Sequence, residues 1–561
     1  MARNRRRKSS KRYRGLAKVT TRGARKGFSL RFNPNSHWSA SFYKGLNKLE
    51  YEDGRNILNV NRDDATGFRL DTLTTCKQHA NPAVQGQEIL TTRTDYVNKY
   101  PSIIQTTLYN FTRTNTTAEV CVGVFKAPPV HHKNPTQHYS DTQELSQMED
   151  LLPVFQNQET NSPKEIDCIR VDGASDEGPA HEIVQYYWTE WHINHGKVAT
   201  LITSRCSGSS YLNRVELQNR CLSLGHSNTF IPSTLGGSCI DPDTGKINQD
   251  KLKENLNLAI SAYMSRVDGC PCGETNIKLV RGSNSDTLQL TNESLLIYLK
   301  GSKKSKDILK TDMPTLYDRF DEVWKVRNRH MVKGLPQSYI FFLKCCYQPG
   351  CTHPKCKLAP VTSTWYSGGP TLSHLPLLVA DPQRPLGNTT CTTCKDFCSG
   401  HYCTQLVDTS DKQALAKVLM PPSVLLKQIF SGIRDGEVSD ELVSSAARRV
   451  LLSTSDVKMW LEHLAEVMRN RKRGAAKVAA TRQRKKQAGT TTTSTGEQTE
   501  QIHDDNGQQC HCTTCGVNYY SDTGEFWIAC DLCEQWYCAS CEGLLEEPTT
   551  ETYICSSCCA K

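Results

Sequence analysis

Apolar positions alternate with a strand's period in two places and recur with a helix's period in others. Ile57, Leu58 and Val60 form a strand-like run that ends at Asp63 and Asp64. Ile169 and Val171 alternate with polar neighbours and lead into Asp172. A period of two fits a pleated strand, whose successive side chains point to opposite faces. Leu212, Val215, Leu222 and Leu224 instead suggest a helix that carries Glu216. Further along, PPSVLLKQIFSGI, SDELVSSAARRVLL and STSDVKMWLEHLAEVMRNRKRG predict a three-helix unit. The Ser-Asp start of the second is an N-cap signal. In the third, Val457, Trp460, Leu461 and Leu464 would face inward. No run approaches the roughly 18 apolar residues of a membrane span.

These elements predict a multidomain α/β protein of 561 residues. Residues 1–35 read as a basic, disordered tail and 36–300 as a mixed α/β core. Residues 301–410 are Cys/His-rich, and 411–486 are helical with a basic end. Residues 487–509 are Thr- and Gln-rich without an apolar period, which predicts a linker. Residues 510–561 form a cysteine domain.

Charge sharpens this picture. The formal net charge is +10, and it is concentrated. Residues 1–26 hold twelve Lys/Arg and no acid; Arg469 to Lys486 hold nine in eighteen residues. Such blocks bind polyanions or act as nuclear addresses. The start of the chain has no apolar h-region, which argues against a secretory signal. Nuclear localisation and DNA contact are therefore expected, and no membrane association.

Of 26 cysteines, ten lie between Cys510 and Cys559. They include Cys512-x2-Cys515, Cys530-x2-Cys533, Cys538-x2-Cys541 and Cys555-x2-Cys558. In a reducing compartment such pairs point to metal. Eight thiolates make two closed tetrahedral zinc sites, the structural pattern. So short a domain cannot bury enough apolar surface alone, so the metal must supply folding energy. A second concentration lies at CCYQPGCTHPKC (Cys345, Cys346, Cys351, His353, Cys356) and CTTCKDFCSGHYC (Cys391, Cys394, Cys398, His401, Cys403). These predict one or two further zinc ions between residues 345 and 403, with ligands that the irregular spacing leaves unassigned. Cys270 and Cys272 (GCPCG) read as a turn.

The text CTTCGVNYYSDTGEFWIACDLCEQWYCASC…TYICSSC resembles a PHD-type zinc finger over about fifty residues. Trp536 stands two residues before the fifth ligand and Tyr553 two before the seventh. The resemblance implies cross-brace ligation. Cys512, Cys515, Cys538 and Cys541 would hold one zinc, and Cys530, Cys533, Cys555 and Cys558 the other. Cys538 stands where the family usually has histidine, which keeps a RING-like ubiquitin-ligase scaffold as an alternative; Cys510 and Cys559 are spare. The resemblance also implies histone-tail recognition. Tyr520, Trp527 and Trp536 would form an aromatic cage for an alkylated ammonium group, and Asp522, Asp531 and Glu534 would meet basic tail residues.

VDGASDEGP followed by SSYLNRVELQN resembles the catalytic core of DDE-type transposases, as do HWSASFYKGLNKLEYEDGRNILNVNRDD and FIPSTLGGSCIDPDTGKINQDKLKENLNLA. The resemblance spans residues 37 to about 265 and implies an RNase H-like fold. It implies a catalytic triad of Asp63 (or Asp64), Asp172 and Glu216. Two strand-end carboxylates and one on a helix would hold two magnesium ions, which clamp the attacking and leaving oxygens of a phosphodiester. VKMW followed by basic residues resembles a homeodomain-like recognition helix.

Together these readings predict a nuclear, zinc-binding protein whose finger reads histone tails on a transposase-derived, DNA-associated body. An active metal-dependent transposase or nuclease is the rival reading.

Overall fold

The computed structural model describes residues 33–49, 56–71, 103–112, 118–206, 213–360, 371–381, 402–431 and 438–466, apart from a few single positions. It also describes residues 73–74, 91–92, 527–529 and 536–538. The fold is mixed α/β, and the described chain forms two compact units divided at Pro422.

Among the described residues of the first unit, the first element is helix α1 (Ser36–Leu49). Trp38, Phe42 and Leu46, four residues apart, form its buried face. Strand β1 (Ile57–Arg69) follows, then β2 (Ile103–Phe111) and β3 (Val120–Lys126). Next come α2 (Pro135–Gln147), β4 (Ile166–Val171), α3 (Glu182–Asn194), β5 (Ala199–Ser204) and α4 (Val215–Gly225). After α5 (Gln249–Val267), β6 (Cys270–Cys272) and β7 (Thr275–Arg281) form a hairpin. Three helices follow, α6 (Asp286–Lys300), α7 (Lys303–Asp312) and α8 (Pro314–His330), and then β8 (Ile340–Lys344).

All eight strands share one sheet, in the order β6-β7-β3-β2-β1-β4-β5-β8. Strands β1, β2 and β3 form an antiparallel meander. Strand β4 then lies parallel to β1 on its other side, and β5 parallel to β4. The two outer strands run antiparallel to their neighbours, β8 on β5 and β6 on β7. The sheet thus takes its last strand from residues 340–344, inside the segment read from sequence as Cys/His-rich.

Helices cover both faces. On one face Leu58, Val60, Ile169 and Val171 pack against Leu145, Tyr186, Trp188 and Trp191 of α2 and α3, and against Phe320 and Val323 of α8. On the other, Ile104, Leu108 and Phe125 pack against Val215 and Leu222 of α4 and Ile260 and Tyr263 of α5. Burial on both sides explains why β4 is buried at every position, IDCIRV.

A hairpin of β9 (His374–Ala380) and β10 (Tyr402–Asp408) lies outside this sheet, and the short α9 (Lys412–Ala416) contacts β10. Helix α1 packs on this hairpin closely enough to require glycine. A Cβ on Gly45 would stand 2.5 Å from Thr404 Cγ2.

The second unit contains α10 (Pro422–Ser431), α11 (Asp440–Val450) and α12 (454–466). Its core is Leu426, Phe430, Val443, Ala446, Val450, Val457 and Leu461, with Trp460 and Leu464 half-buried against it. The predicted cap forms: Ser439 accepts from the Leu442 N–H. Ser453 likewise accepts from the Asp456 N–H at the start of α12. The basic stretch 469–486 lies outside the described residues. In the cysteine domain, β11 (Trp527–Ala529) and β12 (Trp536–Cys538) form an antiparallel pair, with Trp527 opposite Cys538 and Ala529 opposite Trp536.

Candidate functional site

Strands β1 and β4 run parallel in a register that pairs Asn61 with Arg170. Two residues on from each stand Asp63 and Asp172. Parallel neighbours at the same level share a face and lie about 4.8 Å apart. Both acids therefore project towards the face covered by α4. Glu216 sits in the first turn of α4, half-buried. Val215 and Leu222 anchor that helix in the core, and the Gln218 amide donates to the Tyr109 carbonyl at 3.3 Å. Buried Asn213 stands just before the helix, and its backbone carbonyl accepts from the Glu216 N–H at 3.1 Å.

The electrostatics couple these acids. Asp63 is 8% exposed. Burial holds its carboxyl well above the usual range, and the charges of Glu177, Asp172, Glu216 and Asp64 push it further. Burial also raises the Glu216 carboxyl, with Asp172 adding to it. Asp172 lies open at the rim. The protein packed around it still raises its carboxyl, against a lowering hydrogen bond from the Gly173 N–H. Three elements thus bring carboxylates near enough to repel one another. Leu224, read as part of the apolar face of α4, is instead 43% exposed.

Asp64 points to the opposite face. Its carboxylate accepts from the Thr107 hydroxyl at 2.6 Å and meets Lys133 Nζ at 3.0 Å. Burial would raise its carboxyl, but His138 and Lys133 outweigh this and hold it low. Around it lie Asp176 at 3.6 Å and Glu177 at 3.8 Å from His138 Nε2, and Arg62 at 3.5 Å from Glu177. Burial pushes the Glu177 carboxyl up to about 8. Asp64, His138 and Glu177 lie close enough to hold a metal. The proton positions argue against it. Lys126 Nζ lies 3.2 Å from His138 Nδ1 and can only donate, so Nδ1 accepts and Nε2 carries the hydrogen. A protonated Nε2 cannot ligate. This face is an ion-pair network, and the sequence reading missed it.

A second cluster gathers soft ligands. His330 ends α8, Cys345 and Cys346 follow β8, and Cys351 and Cys356 sit in the turns beyond. His330 Nε2 lies 3.3 Å from both Cys351 Sγ and Cys356 Sγ, and Cys346 Sγ lies 3.9 Å from Cys356 Sγ. His353 Nδ1 lies 3.7 Å from Cys345 Sγ, and His192 Nε2 lies 3.0 Å from His330 Nδ1. Cysteine and histidine at these separations can bind zinc. Sequence reading found the four cysteines and His353 but missed His330 and His192. Neither belongs to a Cys-x-x-Cys pair, and only the packing of α8 and α3 beside β8 brings them in. Cys403 is half-buried in β10, whereas Cys391, Cys394, Cys398 and His401 lie outside the described residues. Cys270 and Cys272 form the first strand of a hairpin whose turn glycine, Gly273, has φ +64°.

Among the expected finger residues, Trp527, Trp536 and Cys538 fall on β11 and β12. Cys512, Cys515, Tyr520, Cys530, Cys533, Cys541, Cys555 and Cys558 lie outside the described residues. Among the described residues, no helix is long and apolar enough to cross a membrane.

No family model matches the chain, and no solved structure matches it. It is similar to the PHD finger protein ALFIN-LIKE 1 of Arabidopsis thaliana, 39% identical over 67 residues, which cover 12% of this chain and 27% of that protein. The same-named proteins of Oryza sativa subsp. indica and subsp. japonica are each 38% identical over 69 residues, covering 26% of their length. The match spans about a quarter of these curated relatives, and it supports a PHD-type finger region within this chain.

Proposed function

We propose that residues 36–344 form an RNase H-like, transposase-derived core that cleaves or transfers DNA strands with divalent metal, and that the PHD-type finger directs it to histone tails in the nucleus. The observation that carries the core reading is the convergence of Asp63, Asp172 and Glu216 from β1, β4 and α4. The β3-β2-β1-β4-β5 order, three antiparallel strands then two parallel, supports it by setting the ends of β1 and β4 side by side. The mutual repulsion of the three acids fits hard divalent cations such as magnesium.

In this reading Asp63, Asp172 and Glu216 are the metal ligands, and the bound ions would supply charge stabilisation at the attacking and leaving phosphodiester oxygens. Asp63 holds a central position because its strand neighbour Asp172 and the α4 acid both face it. Asp64, on the other face, ties β1 to α2 through Lys133 and His138. The test is nicking or strand transfer on plasmid DNA with magnesium or manganese. Asp63→Asn, Asp172→Asn and Glu216→Gln should each abolish it. Activity unchanged in those variants, or none in the intact chain, overturns the core reading.

The finger carries the second half of the proposal. The similarity to PHD finger proteins supports that reading over a RING-like ligase. It rests on peptide recognition by Tyr520, Trp527 and Trp536, with eight cysteines, Cys512 to Cys558, holding two zinc ions. Binding of the intact chain to a histone-peptide array tests it, and absence of binding to any tail peptide removes it.

A further inference from the structure

We infer that His330, Cys346, Cys351 and Cys356 hold a structural zinc ion, and that a hydrogen-bonded relay through His192 and Thr200 anchors this ion to Asp167 on strand β4. The ligand atoms of these four residues all lie within 4.8 Å of one another. A zinc tetrahedron with Zn–S of about 2.3 Å and Zn–N of about 2.0 Å has S–S edges of roughly 3.8 Å and N–S edges of roughly 3.5 Å. The observed Cys346–Cys356 edge is 3.9 Å, and His330 lies 3.3 Å from Cys351 and Cys356.

The neighbouring ligand types are engaged elsewhere. Cys345 Sγ lies 3.6 Å from the Lys197 carbonyl, to which its thiol donates. His353 accepts the Lys355 N–H on Nδ1 at 3.2 Å and donates from Nε2 to the His192 carbonyl at 3.1 Å. The groups that include Cys345 supply three ligands, whereas the His330 group supplies four.

The segment itself calls for a metal. The buried cluster formed by residues after β8 consists of Cys345, Cys351 and Cys356, with Cys346 and Tyr347 half-buried against it. Thiols alone give an irregular loop little cohesion. A closed zinc site supplies it.

Hydrogen bonds around the site run in one sense. Zinc on His330 Nε2 leaves the proton on Nδ1, which faces His192 Nε2 at 3.0 Å. His192 then donates from Nδ1 to Thr200 Oγ1 at 2.9 Å. The Thr200 hydroxyl donates to Asp167 Oδ2 at 3.4 Å. Asp167 is fully buried and pairs with Lys197 Nζ at 2.8 Å. Every donor meets an acceptor, and the chain ends on a carboxylate, as outer-shell partners of zinc histidines do. Asp167 lies in the strand that delivers Asp172. The zinc thereby ties the C-terminal end of α8 to the strand bearing one of the converging acids.

The test is zinc stoichiometry of the intact chain by native mass spectrometry, with chelator competition for affinity. His330→Ala and Cys351→Ser should each lose one zinc per chain relative to the wild type, and Cys345→Ser should lose none. His330→Cys, which restores a ligand, should keep the full count. His192→Phe should keep the ion but weaken it about 10- to 100-fold. An unchanged count in His330→Ala, or a lost zinc in a folded His330→Cys, overturns the site. A Cys346–Cys356 disulfide in the purified chain would do the same. Unchanged affinity in His192→Phe overturns the relay.

Discussion

Replacing Asp63 by asparagine should stabilise the metal-free protein and abolish its stabilisation by divalent metal. The side chain keeps its shape and loses its charge. In the folded chain burial and four neighbouring carboxylates hold the Asp63 carboxyl well above its ordinary value of 3.8. A raised folded-state pKa means that the stability is fully present below the unfolded pKa and is lost as pH rises through the folded one. Each unit of elevation costs about 1.4 kcal/mol once the group is ionised. The first compact unit holds roughly 400 residues, for which unfolding entropy near the midpoint is about 0.8 kcal/mol/K. Asp63→Asn should therefore raise the apo Tm by about 2 °C per unit of elevation at neutral pH, and hardly at all near pH 4. Magnesium or manganese at a hundredfold excess over Kd adds about 2.7 kcal/mol to the wild type, or about 3 °C. That rise should vanish in the variant. Differential scanning calorimetry between pH 4 and 8, with and without metal, reads both effects. A variant that is less stable at every pH and still responds to metal would refute the reasoning.

Three further outcomes follow from other parts of the molecule. Burial pushes Glu177 up to about 8, so the wild type should lose stability as pH rises from about 4.5 to about 8; Glu177→Gln should flatten Tm against pH in that window, and an unchanged slope counts against the assignment. Leu461 is fully buried in the three-helix unit, so Leu461→Ala should destabilise that unit by about 2–5 kcal/mol; hydrogen exchange over residues 422–466 measures it, and unchanged protection would mean that α12 does not close the core. Trp536→Ala should abolish histone-tail binding while the zinc content stays constant, and retained binding removes the aromatic cage.

The parts of the fold legible in the sequence were those where one periodicity dominated. Ile57 to Val60 and Ile169 to Val171 read as strands because their apolar residues meet cores directly. The three-helix unit was legible for the same reason, with Val457 and Leu461 buried at helical spacing. What was illegible depended on long-range packing. His330 lies fifteen residues before Cys345, and only the return of α8 and β8 along the sheet brings it to the thiols. Asp63 and Asp64 could not be separated on paper, since adjacent acids look alike until a partner strand fixes which face is which. Leu224 satisfied the helical spacing yet lies outward, because the helix buries Val215, Gln218 and Leu222 instead.

The opposed pair Asp63–Asp64 has a consequence for how the chain folds. A strand that slips by one residue exchanges its two faces. For β1 the exchange would drive Asp63 towards Asp176 and Glu177, and would remove Asp64 from Thr107, Lys133 and His138. A hydrophobic mismatch at Leu58 and Val60 would thus be joined by uncompensated buried charge. The doublet acts as an alignment key: once α2 brings His138 to the sheet, its polarity rejects the neighbouring register of the central strand.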